Sequence, residues 1–188
     1  FTRTTALMGN DIATFPDFPA EIRAPAGTLP GVSAFQLRFS NFDIHTPGDA
    51  PDVLVAMNPA ALKSQIGHLK PNGILLLNTA SFRALDLKKA TYTVDPRTDG
   101  SLDGFRVIEL DLTARTREAL ADTELDTRGK DRCKNMYALG VLYWLFQRDV
   151  EPTKKALAQK FAKKPAIVEA NLKAMAAGHA YAETVEIF

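Results

Sequence analysis

Residues 18–27 (FPAEIRAPAG) set a carboxylate, Glu21, two positions from a guanidinium, Arg23, among prolines and small residues. Arginine recognises phosphate and carboxylate through its planar fork. Two roles are open: contact with an anion or a neighbouring subunit, or a Glu21–Arg23 pair that orders the loop. Asn58 closes the apolar run at 52–57 and precedes Pro59. Ligands of open α/β sheets gather outside the carboxyl ends of strands. Asparagine followed by proline is also a helix start. The two roles are compatible. Asn135 stands at the beginning of an apolar stretch, where a covered amide needs hydrogen-bond partners. It either anchors a neighbouring loop or touches a ligand.

Other chemistry is missing. None of the 11 glycines forms a G-x-G-x-x-G or P-loop pattern. His45, His68 and His179 are isolated, no C-x-x-C occurs, and no serine sits in a G-x-S-x-G elbow. The lone thiol, Cys133, can form no internal disulfide and cannot by itself hold an iron–sulfur cluster, which takes about four ligands. It reads as a packed thiol; His68 and His179 read as surface residues at helix ends. No residue is assigned a catalytic role and no metal site is expected from this chain alone.

The elements that must position these residues follow from the pattern. Residues 1–10 read as the end of a helix stopped at Gly9-Asn10. Residues 11–31, rich in proline and glycine, read as a long loop or a very short strand. Residues 32–40 alternate as a half-buried strand. Residues 52–57 (DVLVAM) read as a central strand covered on both faces, followed by a helix at 59–68 and a second buried strand at 73–78. That β-α-β unit implies a parallel pair. Residues 91–94 are a further strand candidate, 95–104 a surface loop, and 105–110 a strand near a sheet edge. Helices are expected at 113–122, 131–146, 151–162 and 165–181, with a polar connection at 123–130. The 131–146 helix is apolar nearly all round and so must be buried.

Composition excludes several classes. The chain has 188 residues, 46% hydrophobic and 24% charged, with a formal net charge of +1. That suits one ordinary globular domain, not a partner of nucleic acid or of an anionic membrane. The longest apolar stretch, 136–146, is shorter than the roughly 20 residues that span a bilayer. No signal peptide is visible, so the cytoplasm is the expected compartment.

Four strings carry a resemblance. Residues 18–39 (FPAEIRAPAGTLPGVSAFQLRF) resemble a signature of the large (alpha) subunits of 2-oxoglutarate:ferredoxin oxidoreductases, in the 2-oxoacid:acceptor oxidoreductase family. Residues 45–62 (HTPGDAPDVLVAMNPAAL), 134–157 (KNMYALGVLYWLFQRDVEPTKKAL) and 160–184 (KFAKKPAIVEANLKAMAAGHAYAET) follow in the right order. The resemblance covers essentially the whole chain. It implies the N-terminal gamma-type domain: α/β, Rossmann-like, a mostly parallel sheet flanked by helices, with a helical C-terminal part. The family's domain opens with a strand and Gly-rich loop that are not found here, so Phe1 would fall in its first helix. A thiamine-binding domain would follow residue 188. Residues 1–188 are therefore expected to be one gamma-type domain, trimmed at both ends.

The resemblance further implies that the complete enzyme decarboxylates 2-oxoglutarate oxidatively to succinyl-CoA. Thiamine diphosphate with Mg2+ would carry the chemistry and a 4Fe-4S cluster would pass electrons to ferredoxin. Those sites would belong to the thiamine-binding domain and to a beta subunit carrying the diphosphate site and the cluster. No cofactor is expected on this chain alone. The gamma-type domain would pack against the catalytic domains and help form the CoA site. Glu21, Arg23, Asn58 and Asn135 are then the expected CoA or substrate-cleft residues. The lysines of 154–164 form a solvated face or, alternatively, a docking surface for ferredoxin or CoA phosphates. Two competing readings remain: a subunit acting on pyruvate or another 2-oxoacid, and a non-catalytic scaffold or nucleotide-binding module.

Overall fold

The computed structural model describes residues 1–17, 32–46, 48 and 50–185. Glu21 and Arg23, with the rest of the 18–31 loop, lie outside the described residues. In chain order the elements are α1 (Thr2–Leu7), β1 (Asp11–Asp17), β2 (Ala34–Ser40), β3 (Val53–Ala56), α2 (Pro59–Gln65), β4 (Ile74–Asn78), α3 (Ala84–Lys89), β5 (Arg106–Leu110), α4 (Leu112–Ala119), α5 (Thr127–Arg132), α6 (Lys134–Leu145), α7 (Glu151–Lys160) and α8 (Pro165–Thr184). Short 3-10 turns at Ile66–His68 and Thr79–Ser81 follow α2 and β4. Two compact units result: Asp11–Asp111, and Phe1–Asn10 with Leu112–Phe188.

The sheet unit is built on three parallel strands in the order β3-β4-β5, with Val53 beside Ile74 and Ile74 beside Arg106. Strand β4 (ILLLN) lies in the middle, and four of its five residues are buried. Leu75 and Leu77 join Ala56, Leu62, Leu69, Phe82 and Leu102 in one core cluster. Leu76, pointing to the other face, is also buried. The expected α/β architecture with a parallel sheet is therefore present. Its centre is not where the pattern put it. The run at 52–57 forms β3 on the edge of the described sheet, mostly half-buried. Apolar runs look alike whether one or two neighbours flank them.

The long loop expected at 11–31 is corrected over its first third. Residues Asp11–Asp17 form a strand paired antiparallel with β2 along seven positions, from Asp11 beside Ser40 to Asp17 beside Ala34. Pro16 does not prevent this, because a two-stranded ribbon has only edge strands and an edge tolerates the missing donor. The 91–94 strand candidate is also absent. Thr91 adopts φ 59, a left-handed conformation that breaks an extended run, and its carbonyl and hydroxyl accept from Lys63 Nζ at 2.8 and 2.6 Å.

The helical unit packs α4, α6 and α8 around Leu120, Cys133, Ala170 and Ala174. Residues 123–130, read as a connection, hold the start of α5, where Asp126 Oδ1 accepts from Gly129 N at 2.7 Å. The single helix expected at 131–146 is broken at Cys133 into α5 and α6. On α6, Tyr137, Ala138, Gly140, Val141 and Tyr143 are buried, as an all-round apolar helix requires. Helices α6 and α8 meet backbone to backbone. A Cβ on Gly140 would lie 2.0 Å from Met175 O, and one on Gly178 would lie 2.0 Å from Tyr137 O. Helix α1 is held by hydroxyls: Thr4 Oγ1 is 2.8 Å from Tyr143 OH, which is 2.5 Å from Thr153 Oγ1. Its stop at Gly9, φ +79, matches the expected helix end.

Candidate functional site

Strands β3 and β4 run parallel, so their carboxyl ends open on the same side of the sheet. Strand β4 ends on Asn78, and Asn58 follows two residues after the end of β3. Asn58 is extended (φ −158, ψ 167) and its Oδ1 accepts from Ala61 N at 2.8 Å, with Pro59 opening α2. Its capping role is thus observed. Asn78 is fully buried, and its Nδ2 donates to Met57 O at 3.2 Å and to Ser81 Oγ at 3.1 Å. One buried amide therefore ties the exits of both strands together.

A cleft of about 360 Å3 lies at these strand ends, lined by Asn58, Ser81, Arg83, Asp86 and Lys89 among others. Arg83 Nε donates to Asp86 Oδ2 at 2.8 Å, while most of the Arg83 side chain is exposed. Two cations against one carboxylate leave the wall net positive. Ser81 Oγ has an amide donor as its neighbour and no base, so the arrangement suits holding an anion, not activating a nucleophile.

The wall is braced from behind. Arg97 Nε donates to both Asp95 oxygens at 3.0 and 3.1 Å, and Nη2 to Asp95 Oδ2 at 2.5 Å and Phe82 O at 3.3 Å. The guanidinium lies over the buried Phe82 ring, 5.5 Å from its centroid. Bonding to Arg97 holds the Asp95 carboxyl below its ordinary range, and the same bond raises Arg97. Phe82 sits between Ser81 and Arg83, so this clamp fixes the chain that carries both.

Of the expected binding residues, Asn58 lines the cleft. Asn135 is exposed on the first turn of α6, in the other unit, so the partners a covered amide would need are not required. Asn78, Ser81, Arg83 and Lys89 were not singled out from sequence. The available signal was an asparagine at or just past the end of each of the two apolar runs, Asn58 and Asn78. Cys133 is buried, its Sγ lies 3.6 Å from Gly129 O, and burial pushes its thiol pKa up, which makes it inert. His45 and His68 are exposed. His179 is half-buried within α8 and not at its end, because that helix runs on to Thr184. Among the described residues no group of three His, Cys, Asp or Glu could hold a metal ion, and no helix is long and apolar enough to cross a membrane.

The family model described as pyruvate ferredoxin/flavodoxin oxidoreductase matches residues 1–181. The chain belongs to this family. It is 47% identical, over all 188 residues, to the 2-oxoglutarate oxidoreductase subunit KorA of Mycobacterium tuberculosis, and spans 29% of that relative's length. Among solved members, the 2-oxoglutarate:ferredoxin oxidoreductase of Magnetococcus marinus, determined with 2-oxoglutarate, coenzyme A and succinyl-CoA bound, aligns with TM-score 0.68 at 24% identity. That alignment covers 97% of this chain and 27% of the other. The gamma subunit of a keto/oxoacid ferredoxin oxidoreductase from Geobacter sulfurreducens aligns with TM-score 0.53 at 14% identity, covering 94% of this chain and 85% of that one. A pyruvate oxidoreductase subunit, PORC, of Thermotoga maritima aligns with TM-score 0.51 at 18% identity, covering 94% and 83%. These solved structures establish the shared fold, that of the pyruvate ferredoxin/flavodoxin oxidoreductase gamma-type domain. The fold thus occurs both within a long subunit and as a subunit of its own.

Proposed function

We infer that this chain is the gamma-type domain of the large subunit of a 2-oxoglutarate:ferredoxin oxidoreductase. The complex would convert 2-oxoglutarate and CoA to succinyl-CoA and CO2, passing two electrons to oxidised ferredoxin in the cytoplasm. The observation that carries this reading is the 47% identity to KorA along the whole chain. The chain does not supply the reaction's redox centre from its described residues. Its single thiol is packed away, and among the described residues no cluster of acidic or imidazole groups fits a diphosphate-bound Mg2+. Thiamine diphosphate, Mg2+ and the 4Fe-4S cluster would sit on the thiamine-binding domain and the beta subunit.

The domain's own contribution is to bind. The net-positive cleft at the β3 and β4 ends suits a phosphate-bearing ligand, and CoA is the phosphate-bearing substrate of this reaction. Asn58 is assigned to that cleft. Glu21 and Arg23 of the proline-rich loop, and Asn135 of α6, are proposed as further CoA or substrate contacts. The family's match to pyruvate oxidoreductases favours one second reading, the same domain in a complex acting on pyruvate.

The test is reduction of methyl viologen by the intact complex, with 2-oxoglutarate and then pyruvate, each with and without CoA. CoA-dependent reduction with 2-oxoglutarate is expected. Preference for pyruvate would replace the substrate and keep the family. Lys89→Glu should raise the CoA KM about tenfold, the scale of one charge-assisted contact. An unchanged KM and kcat in both Lys89→Glu and Arg23→Ala would remove CoA from this domain.

A further inference from the structure

One stretch of the helical unit concentrates positive charge. The chain balances 23 basic against 22 acidic residues. Residues 152–168, running from α7 into α8, hold Lys154, Lys155, Lys160, Lys163 and Lys164 and no acidic residue. Glu151, at the start of α7, answers only Lys154, at 2.7 Å. Lys155, Lys160, Lys163 and Lys164 are exposed and make no ion pair among the described residues. Cations elsewhere are matched where they stand: Lys70 by Asp52, Arg117 by Asp131, Lys173 by Asp122. Lys160 Nζ lies over the Phe161 ring, 5.4 Å from its centroid, a contact that leaves its charge uncompensated. Lys163 and Lys164 stand at the start of α8, whose first turn has no acidic residue, so the positive end of that 20-residue helix adds to the same potential. The cleft assigned to CoA is lined by residues within 58–90, and none of these lysines is among them.

We propose that this lysine face docks the acidic electron carrier, ferredoxin. The inference rests on the functional reading above and adds to it the surface that receives the acceptor. The occupant follows from charge complementarity. A ferredoxin holds its cluster on thiolates, so the redox centre it must present is itself anionic. Electron-transfer encounters bury little area and are guided by complementary fields, which exposed lysines supply without a shaped pocket. Like charges held side by side repel one another, and an acidic partner relieves that repulsion.

The experiment uses the intact complex carrying Lys163→Glu with Lys164→Glu. Both positions are exposed, and an acidic residue is favoured at a helix start, so the fold is kept. Binding of the organism's own oxidised ferredoxin, labelled with a fluorophore, is read by anisotropy. In parallel, kcat/KM is measured for ferredoxin and for methyl viologen with 2-oxoglutarate and CoA. The double variant should lower ferredoxin affinity and kcat/KM about tenfold at low salt, the scale of steering by a few charges, and flatten their dependence on salt. Methyl viologen reduction and the CoA KM should not change. Arg128→Glu with Arg132→Glu, exposed on α5, makes the same change in net charge and should leave ferredoxin binding as it was. Lys163→Gln with Lys164→Gln should give a smaller loss of the same sign, and decides the matter if the glutamates prevent folding. Unchanged ferredoxin binding in the lysine variants, an equal loss in the α5 control, or a raised CoA KM in place of weaker ferredoxin binding would each overturn the proposal. Anisotropy needs no turnover. A complex that binds ferredoxin through this face but oxidises no 2-oxoacid would sink the functional reading and leave the docking face standing.

Discussion

Gly178→Ala puts the packing of α6 on α8 to a direct test. The added Cβ would lie 2.0 Å from Tyr137 O and 2.9 Å from Tyr137 C, both backbone atoms. Ordinary contact begins near 3.4 Å. No rotamer change can relieve a clash between two backbones, so the helices must separate by about 1 Å or more. A gap of that size forfeits roughly a quarter to a half of the dispersion energy along the seam. The seam includes Ala170, Ala174, Met175 and Ala182, all buried at 0–1% exposure. Overpacking of this kind costs roughly 1–3 kcal/mol, and the backbone-to-backbone geometry puts it at the upper end. Alanine returns about 1 kcal/mol of helix propensity over glycine. The net loss is about 2 kcal/mol, or a melting temperature lower by roughly 4–8 °C. Thermal unfolding followed by circular dichroism measures this. Gly67→Ala, where an added Cβ meets nothing within 4 Å, is the control and should stay within about 0.5 kcal/mol of wild type. A Gly178→Ala protein that melts with the control, or above it, refutes the argument. Gly140→Ala should behave like Gly178→Ala, and the double variant should lose less than the sum, because the first substitution already opens the seam.

Three further outcomes follow from the sites above. Asn78→Ala leaves Met57 O without its buried donor and should destabilise by about 1–3 kcal/mol, more than the loss of about 1 kcal/mol expected for the half-buried helix cap in Asn58→Ala; urea midpoints rank the two. Cys133 should not react with a thiol reagent in the native protein at pH 7 and should react once the chain is unfolded, because it is buried and its pKa is raised; native labelling at an ordinary rate contradicts the packing. Arg117 grips Asp131 with two bonds of 2.6 and 2.7 Å, and this hydrogen bonding holds the Asp131 carboxyl below its ordinary value. A depressed folded pKa contributes stability above the unfolded value and loses it as pH falls through the folded one. Arg117→Gln should therefore weaken the protein by less than about 1 kcal/mol at pH 7, and the difference should vanish in acid, below the range where Asp131 titrates; a gap that persists there points to packing and not charge.

The elements legible in the sequence are those that local periodicity specifies. Strand β4 announced itself as an unbroken apolar run, and α6 as a helix with no polar face. Both are buried as that requires. The antiparallel β1 was hidden because its proline argues against a strand, and only pairing with β2, beyond the intervening loop, makes it one. The cleft was half legible. Asn58 was found because a cap and a strand end coincide there. Arg83 and Lys89 were not, because a charged residue at the cap or end of a short helix such as α3 looks the same on a solvated face as on the wall of a cleft.

Asn78 and Gly178 explain why the rest could not be read from local pattern. Each has a meaning only through a backbone atom far along the chain, Met57 O for the first and Tyr137 O for the second. An asparagine ending a strand and a glycine inside a helix each carry an ordinary local penalty. In the fold both positions demand that residue type. The buried amide of Asn78 supplies a donor to a partly buried carbonyl, and the missing side chain of Gly178 lets two helices touch. The alanines at 170, 174 and 182 extend the same requirement along α8, one turn apart, on the face that Gly178 shares. A spacing of four small residues in a row was present in the sequence. What gave it direction was α6, whose own glycine at 140 stands opposite Met175 O. Two small-residue positions on separate helices, each closing on the other's backbone, specify that contact more sharply than the apolar surface around them, which would accept many packings.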